Sequence, residues 1–328
     1  MKTGKFIFTS SKNILVPFYI IFLFLCCGQK EKWHTSTLLY FDTLCEIKLH
    51  CSQEKFNLSL KEINDLFSHI EDLFSPDAPL SDFQEVFDLF KTARKIYIDS
   101  TGDFDISIAP LSKLWGFHDS NFRVPQHEEI LACLKTIGLN KIKTDGKILS
   151  FPQGMSLDWG GIAKGYGVDQ AVNICRENYI SKGFINAGGD LFCWGNNPQG
   201  QLWKIGIKHP RKEGFLGILN LTDSGAATTG DYQRYFIEDN IRYHHVLDPK
   251  TGYPAEGNQS ITVVGPETVI CDALSTALFI SSEPQEIVDK YPDYGAVVVD
   301  SNGRLLFLGK KINLTDLHAH IKQKDEVK

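Results

Sequence analysis

The chain has 328 residues, 42% hydrophobic and 23% charged, a globular balance that excludes wholesale disorder. At this length a chain hides roughly 75% of its extended-chain surface, enough for one large domain or two smaller ones. The net charge of −6, with no block or stripe of Lys and Arg, argues against nucleic acid as the main partner, and the presence of only 2 Met argues against a Met-rich adaptable groove.

Lys2, Lys5 and Lys12 precede an apolar run over residues 14–27 that only Pro17 interrupts. The run is shorter than the ~20 residues a spanning helix needs and reads as a secretory signal. It ends Leu25-Cys26-Cys27-Gly28 and then turns polar. This resembles a bacterial lipoprotein signal, with acylation expected at Cys27 and Cys26 as the alternative. The resemblance implies a signal peptide over 1–26, a short tether over 27–36 and one domain over 37–328. It places the body at the extracytoplasmic, periplasmic face of a bacterial membrane, held by a lipid anchor. A short uncleaved anchor would also put the body outside the cytoplasm. That location permits disulfides, but Cys45, Cys51, Cys133, Cys175, Cys193 and Cys271 form no CxxC or metal spacing. Cys45 and Cys51 fall on one predicted strand, ~20 Å apart, so they cannot bridge each other. Buried free thiols are expected.

Further along, residues 38–50 alternate as a strand. Residues 60–74 place Leu60, Ile63, Leu66, Phe67, Ile70, Leu73 and Phe74 at helical spacing. A breaker at Ser75-Pro76-Asp77-Ala78-Pro79 precedes a helix over 82–99. Residues 108–115 form a short apolar segment, and 127–137 a helix. Asp145-Gly146 predicts a tight hairpin between 141–144 and 147–150. A helix over 162–178 follows a Gly pair, and short strands with glycine-rich turns fill 184–264. Helices over 268–280 and 285–291 precede a last hairpin of 296–299 with 305–308. Helices and strands mix without regular βαβ alternation, which predicts an α+β fold of mixed, largely antiparallel sheets with flanking helices.

Four segments concentrate chemistry. In Leu157-Asp158-Trp159-Gly160-Gly161-Ile162-Ala163-Lys164-Gly165-Tyr166-Gly167, glycines before a helix let backbone approach a ligand. The helix start favours an anion, and Lys164 can add a positive charge. The order is neither a Walker A loop nor GxGxxG, and taken alone the segment reads first as a tight strand-to-helix turn. Asn186-Ala187-Gly188-Gly189-Asp190 reads as a turn, a bulge or a close backbone approach. Thr228-Thr229-Gly230-Asp231-Tyr232 leads to Tyr243-His244-His245-Val246-Leu247-Asp248-Pro249-Lys250-Thr251-Gly252, whose last five residues form a turn by composition. On a strand, His244 and His245 point to opposite faces, so one can line a cleft as a general base while the other packs. Finally, Asp272 and Thr276 are i and i+4 on a predicted helix, an oxygen pair that suits Mg²⁺. An acidic residue favouring the helix dipole explains Asp272 as well.

Taken together, these segments resemble the FAD:protein FMN transferases, the ApbE-type flavin transferases. The likeness includes Phe104-Asp105-Ile106 and Pro110-Leu111-Ser112-Lys113-Leu114-Trp115-Gly116-Phe117, with the motifs in family order over residues 37–308. Two places depart from the family pattern. Phe41-Asp42-Thr43 stands where Met-Gly-Thr is usual, and Ser81-Asp82-Phe83 replaces a usual Ser-Glu pair. The resemblance implies Mg²⁺-dependent transfer of FMN from FAD to a Ser or Thr hydroxyl of a target protein, with release of AMP. It implies flavin-nucleotide contacts at Phe41, Phe104, Asp105, Ile106, Asp158, Lys164 and His245. Metal ligands would come from Gly161, Asp272, Ser275 and Thr276. His245 would be the base, with Asp248 assisting. The acceptor it implies is a membrane redox subunit carrying a short Ser/Thr motif. An Mg²⁺-dependent FAD pyrophosphatase, or a lipid-tethered flavin-binding protein, would share much of this site.

Overall fold

The structure, a computed structural model, describes residues 30–75, 84–145 and 149–317. The signal region, Cys26 and Cys27, Ser81-Asp82-Phe83 and Gly146 lie outside the described residues. Strands β1 (Lys32–Tyr40) and β2 (Thr43–Cys51) form a hairpin where the sequence predicts one strand. The turn residues Phe41 and Asp42 both have positive φ, 56° and 54°, the conformation of a two-residue hairpin turn. Phe and Asp rarely signal that geometry. Tertiary contacts hold it: the Phe41 N–H donates to the Glu71 carboxylate, and its ring meets Phe67 at 5.2 Å.

Helix α1 (Gln53–Leu73) starts at Ser52, whose hydroxyl accepts from the Lys55 N–H at 3.3 Å. Helices α2 (Gln84–Asp99), α3 (Ala109–Leu114) and α4 (His127–Leu134) follow. The small hairpin β3 (Lys143–Thr144) and β4 (Leu149–Ser150) pairs Lys143 with Ser150. Beyond it come α5 (Ala163–Glu177), β5 (Gly183–Ala187), β6 (Asp190–Trp194), β7 (Trp203–Lys208), β8 (Phe215–Leu221) and β9 (Ser224–Gly230). The chain continues through β10 (Tyr235–Glu238), β11 (Ile241–His244), β12 (Asn258–Gly265), α6 (Thr268–Ile280) and α7 (Pro284–Val288). It closes with β13 (Gly295–Asp300), β14 (Leu305–Gly309) and β15 (Leu314–Thr315).

Eight strands make one antiparallel sheet in the order β1-β2-β5-β6-β9-β12-β13-β14. Alternate residues fill two cores. Ile47, Leu49 and Ile185 pack with Phe56, Ile63 and Phe67 of α1 and Val168 and Val172 of α5. Phe184, Leu191, Val297 and Val299 face Trp203, Leu216 and Leu219 of the three-stranded sheet β15-β8-β7. Burial on both faces explains why β6 and β13 read as continuous apolar runs. The six described cysteines carry free thiols, and Cys45 and Cys51 share β2.

One crossing positions the site. A Cβ at Gly165 would lie 2.5 Å from the Thr268 carbonyl oxygen, so only glycine lets the start of α5 touch the start of α6. Asp169 locks this contact by accepting the Thr268 and Val269 N–H groups, each at 2.9 Å. Burial pushes its carboxyl up to about 6 despite those bonds. Gly165→Ala should cost ~1–3 kcal/mol, because the obstructing atoms are backbone and cannot yield. A lowered Tm is the expected readout, and an unchanged Tm would contradict the crossing.

Candidate active site

The turn into α5 is built on itself. The Asp158 N–H donates to the Ile106 carbonyl at 2.7 Å, and the Asp158 carboxylate accepts the Gly160 N–H at 2.9 Å. Lys164, one residue into α5, donates to the Gly160 carbonyl at 3.0 Å. Its ammonium lies 2.9 Å from Asp190 Oδ2 and 3.7 Å from Asp272 Oδ2, with 28% of the side chain exposed. Burial would lower the Lys164 pKa, but Asp190, Asp272 and Asp158 outweigh it and raise the pKa.

Asp190 reaches this place through a hairpin. Ala187 pairs with Asp190 around Gly188 and Gly189, whose φ values are 64° and 111°. The Gly pair therefore makes the turn, and the polar residue after it faces Lys164. From α6, Asp272 accepts the Gly165 N–H at 3.1 Å and is only 4% exposed. One turn on, Thr276 Oγ1 lies 3.1 Å from Thr229 Oγ1 of β9. Ser275 Oγ is 2.6 Å from the same Thr229 oxygen and donates to the Asp272 carbonyl at 2.8 Å, so its hydroxyl is already engaged. Gly161 sits against Thr276: its Cβ position would be 3.5 Å from Thr276 Oγ1 and 3.4 Å from Phe104.

This group fits a hard cation. Its donors are carboxylate and hydroxyl oxygens, the kind a hard cation takes, although no group of three or more His, Cys, Asp or Glu placed to hold a metal occurs among the described residues. Two buried carboxylates face one ammonium. Burial, and then Asp190, push the Asp272 carboxyl up against the pull of Lys164. Asp190 Oδ2 is buried without a hydrogen bond, although it pairs with the ammonium by distance. A bound cation would relieve both conditions.

The adjacent histidines separate as their strand spacing predicts. His244 is buried, donates through Nε2 to the Ala255 carbonyl at 2.9 Å and sets its ring on Phe279. His245 is partly exposed, with Nδ1 3.2 Å from the Arg234 carbonyl. A carbonyl only accepts, so Nδ1 carries the hydrogen and Nε2 keeps its lone pair. Burial, and then Arg234, push the His245 ring down to about 3, and Lys164 adds to the effect. His245 is therefore neutral at pH 7. Its folded pKa is below the unfolded value of ~6.5, so its contribution to stability is lost as pH falls from ~6.5 toward 3. In the ligand-free chain its ring should stay neutral and protonated at Nδ1 from pH 8 to 5 in ¹⁵N NMR spectra. A midpoint near 6.5 would contradict this geometry.

Several predicted site residues also make structural contacts. Asp105 is buried and accepts from the Ser107 N–H and hydroxyl at 2.8 and 2.6 Å, capping a short 3-10 turn. Ile106 is core, and Phe104 is buried against Gly161. The Asp248 carboxylate accepts the Lys250 N–H at 2.7 Å and the Thr251 hydroxyl at 3.0 Å, so it shapes the turn. That turn is tied down by Trp115, which donates to the Gly252 carbonyl at 2.9 Å, and by Lys250 on Asp103 at 2.6 Å. Phe41 lies at the β1–β2 turn, where a Cβ on Gly167 of α5 would come within 3.2 Å of its ring. Asp190 and Thr229, which the sequence motifs contain but did not single out, join the group. A separate cavity of about 270 Å³, with Asp88, Tyr166, Asp169 and Arg176 in its wall, contains none of the predicted site residues.

The sequence pattern of the ApbE family matches residues 41–298, a stretch that holds every one of these groups. The chain belongs to the ApbE family. Among ApbE relatives, the FAD:protein FMN transferase of Klebsiella pneumoniae (strain 342) is 34% identical over 209 residues, 61% of this chain and 64% of that protein. The match thus spans a little under two thirds of that relative. The FAD:protein FMN transferase of Vibrio cholerae is 30% identical over 250 residues, 70% of this chain and 73% of that protein. The crystal structure of the ApbE protein from Thermotoga maritima superposes with a TM-score of 0.78 at 30% identity, over 84% of this chain and 97% of that one. The flavin transferase ApbE from Vibrio cholerae gives 0.75 at 23% identity, over 87% and 97%, a likeness of fold. The α+β, largely antiparallel architecture expected from the sequence is the ApbE fold.

Proposed function

We propose that this ApbE chain transfers FMN from FAD to a Ser or Thr hydroxyl of a target protein. The observation that carries the reading is the gathering of Lys164, Asp190, Asp272 and Thr276 at the α5–α6 crossing of an ApbE-family chain. The acceptor oxygen attacks the phosphorus on the FMN side of the pyrophosphate, the bond to the AMP phosphate breaks, and AMP leaves. His245 Nε2 takes the acceptor proton. Positioning and charge neutralisation dominate such transfers. Lys164, held by Asp190 and the Gly160 carbonyl, supplies a fixed positive charge, and the Gly160-Gly161 turn lets backbone approach the phosphates. Asp272, Thr276 and the Gly161 carbonyl would hold Mg²⁺, which supplies neutralisation of pyrophosphate charge and polarisation of its oxygens.

The acceptor in this reading is a membrane redox subunit, and the enzyme works beside it from a lipid anchor at Cys27 on the extracytoplasmic face. The basic start, short apolar run and Cys27-Gly28 support the anchor. Among the described residues, no helix is long and apolar enough to cross a membrane. Mass spectrometry of the membrane fraction should find a modified N-terminal Cys with nothing before it. A mature protein that keeps Met1 would refute cleavage. Activity is tested by incubating the chain with FAD, Mg²⁺ and a candidate acceptor. Flavin fluorescence on the acceptor in a denaturing gel supports transfer. Free FMN without labelling supports the pyrophosphatase, and neither product supports a binding protein.

A further inference from the structure

Strand β1 begins at Lys32, so only residues 28–31 separate it from Cys27. At a maximum of ~3.6 Å per residue, the start of β1 stays within ~18 Å of an anchor at Cys27. The large sheet fixes what else lies at that end. Lys32 pairs with Cys51, and the Lys182 carbonyl, just before β5, accepts the His50 N–H at 3.1 Å. Ser52 then starts α1, and Lys55 in its first turn has Nζ 5.7 Å from the ring centre of Tyr179. Tyr179 directly follows the C-cap of α5. It is 85% exposed, more than any other large hydrophobic side chain among the described residues. Lys30, Lys32 and Lys182 are exposed at the same end. Glu31, Glu54 and Glu177 lie among them, so charge nearly balances here in a chain of net −6.

The catalytic group lies at the other end of the same sheet. There β1 turns into β2 at Phe41, and the β5–β6 turn comes alongside, since a Cβ on Gly188 would meet the Thr43 side chain. That turn delivers Asp190 to Lys164 at the start of α5. Two lengths measure the separation. The nine residues of β1 span ~30 Å at ~3.3 Å each. The fifteen residues of α5, which run from Lys164 toward Tyr179, span ~22 Å.

We propose that the end carrying Lys30, Lys32, Lys55, Tyr179 and Lys182 rests on the lipid surface that holds the anchor, with the catalytic group standing ~20–30 Å farther out. The proposal rests on the lipid-anchor reading and adds the orientation of the body. A single acyl chain holds a protein only marginally, so a second contact beside it strengthens the hold. Tyr179 offers an amphipathic ring of the kind enriched at headgroup depth, and lysine stems lie along such a surface with their ammonium groups on phosphate. The acceptor hydroxyl must then be presented on a part that stands equally far from the bilayer.

The test uses the acylated mature chain in vesicles of phosphatidylethanolamine and phosphatidylglycerol that carry a quencher on a lipid headgroup. A dye is placed on Ser181→Cys or on Leu39→Cys, both exposed positions, each combined with Cys133→Ser because the other described thiols are buried. Position 39 lies seven residues along β1 from Lys32, ~23 Å, so quenching at 181 should exceed that at 39 by ~2-fold or more. Lys32→Glu with Lys182→Glu should at least halve this difference and leave FAD affinity, read from flavin fluorescence, unchanged. Equal quenching at the two positions, or more at 39, overturns the proposal in a chain that still sediments with the vesicles. A double variant that keeps the full difference also overturns it, because the tether alone would then set the orientation. A chain that does not sediment with the vesicles removes the anchor reading and this proposal together.

Discussion

His245→Ala should slow flavin transfer by ~100-fold or more, within the 10²–10⁴ range of general-base contributions, while FAD still binds. A Thr or Ser hydroxyl is a poor nucleophile until its proton is accepted. His245 has what that step requires: Nδ1–H is held by the Arg234 carbonyl, Nε2 keeps its lone pair, and the ring is neutral. The loss should appear in kcat with little change in FAD affinity, because the base meets the acceptor rather than the ring system. His244→Ala should behave differently. It removes a buried bond to the Ala255 carbonyl and a ring packed on Phe279, so it should lower Tm and leave turnover per folded molecule near wild type. If His244→Ala abolishes transfer and His245→Ala spares it, the two roles are reversed. If both variants stay active, no histidine base operates here.

Asp272→Ala should abolish turnover at limiting Mg²⁺ and lower metal affinity by ~100-fold or more, beyond the 10–100-fold typical of losing an outer partner. The variant loses the one carboxylate that lies on the same helix as Thr276 and also binds the Gly165 N–H across the α5–α6 crossing. Stability should respond less than activity. Removing Asp272 frees Asp190 from a buried like charge and leaves Lys164 paired with Asp190. Metal affinity measured by calorimetry without FAD separates this from a catalytic defect. Wild-type affinity and wild-type turnover at limiting Mg²⁺ would remove Asp272 from the metal site.

Helix α6 was legible to its bounds, because an apolar 13-residue run with Asp272 and Thr276 one turn apart has a single helical reading. The β1–β2 hairpin was not, since Phe41 and Asp42 adopt positive φ only through the Glu71 and Phe67 contacts that fold around them. Motif membership marked segments but did not show which of their residues meet in space. Asp105, implied as a flavin contact, and Asp248, implied as assisting the base, also bind nearby turns, which the sequence did not show. Asp190 was hidden behind a Gly pair that reads as a turn, and it becomes a site residue only because the hairpin brings it to Lys164. Thr229 belongs with Thr276 only once β9 lies beside α6.

The central claim is tested most directly by stoichiometry. The full chain is incubated with FAD, Mg²⁺ and an acceptor protein, and released AMP is counted against flavin that remains on the acceptor after denaturation. Equal amounts of the two are expected, both lost in His245→Ala. AMP released with free FMN and an unlabelled acceptor would contradict it.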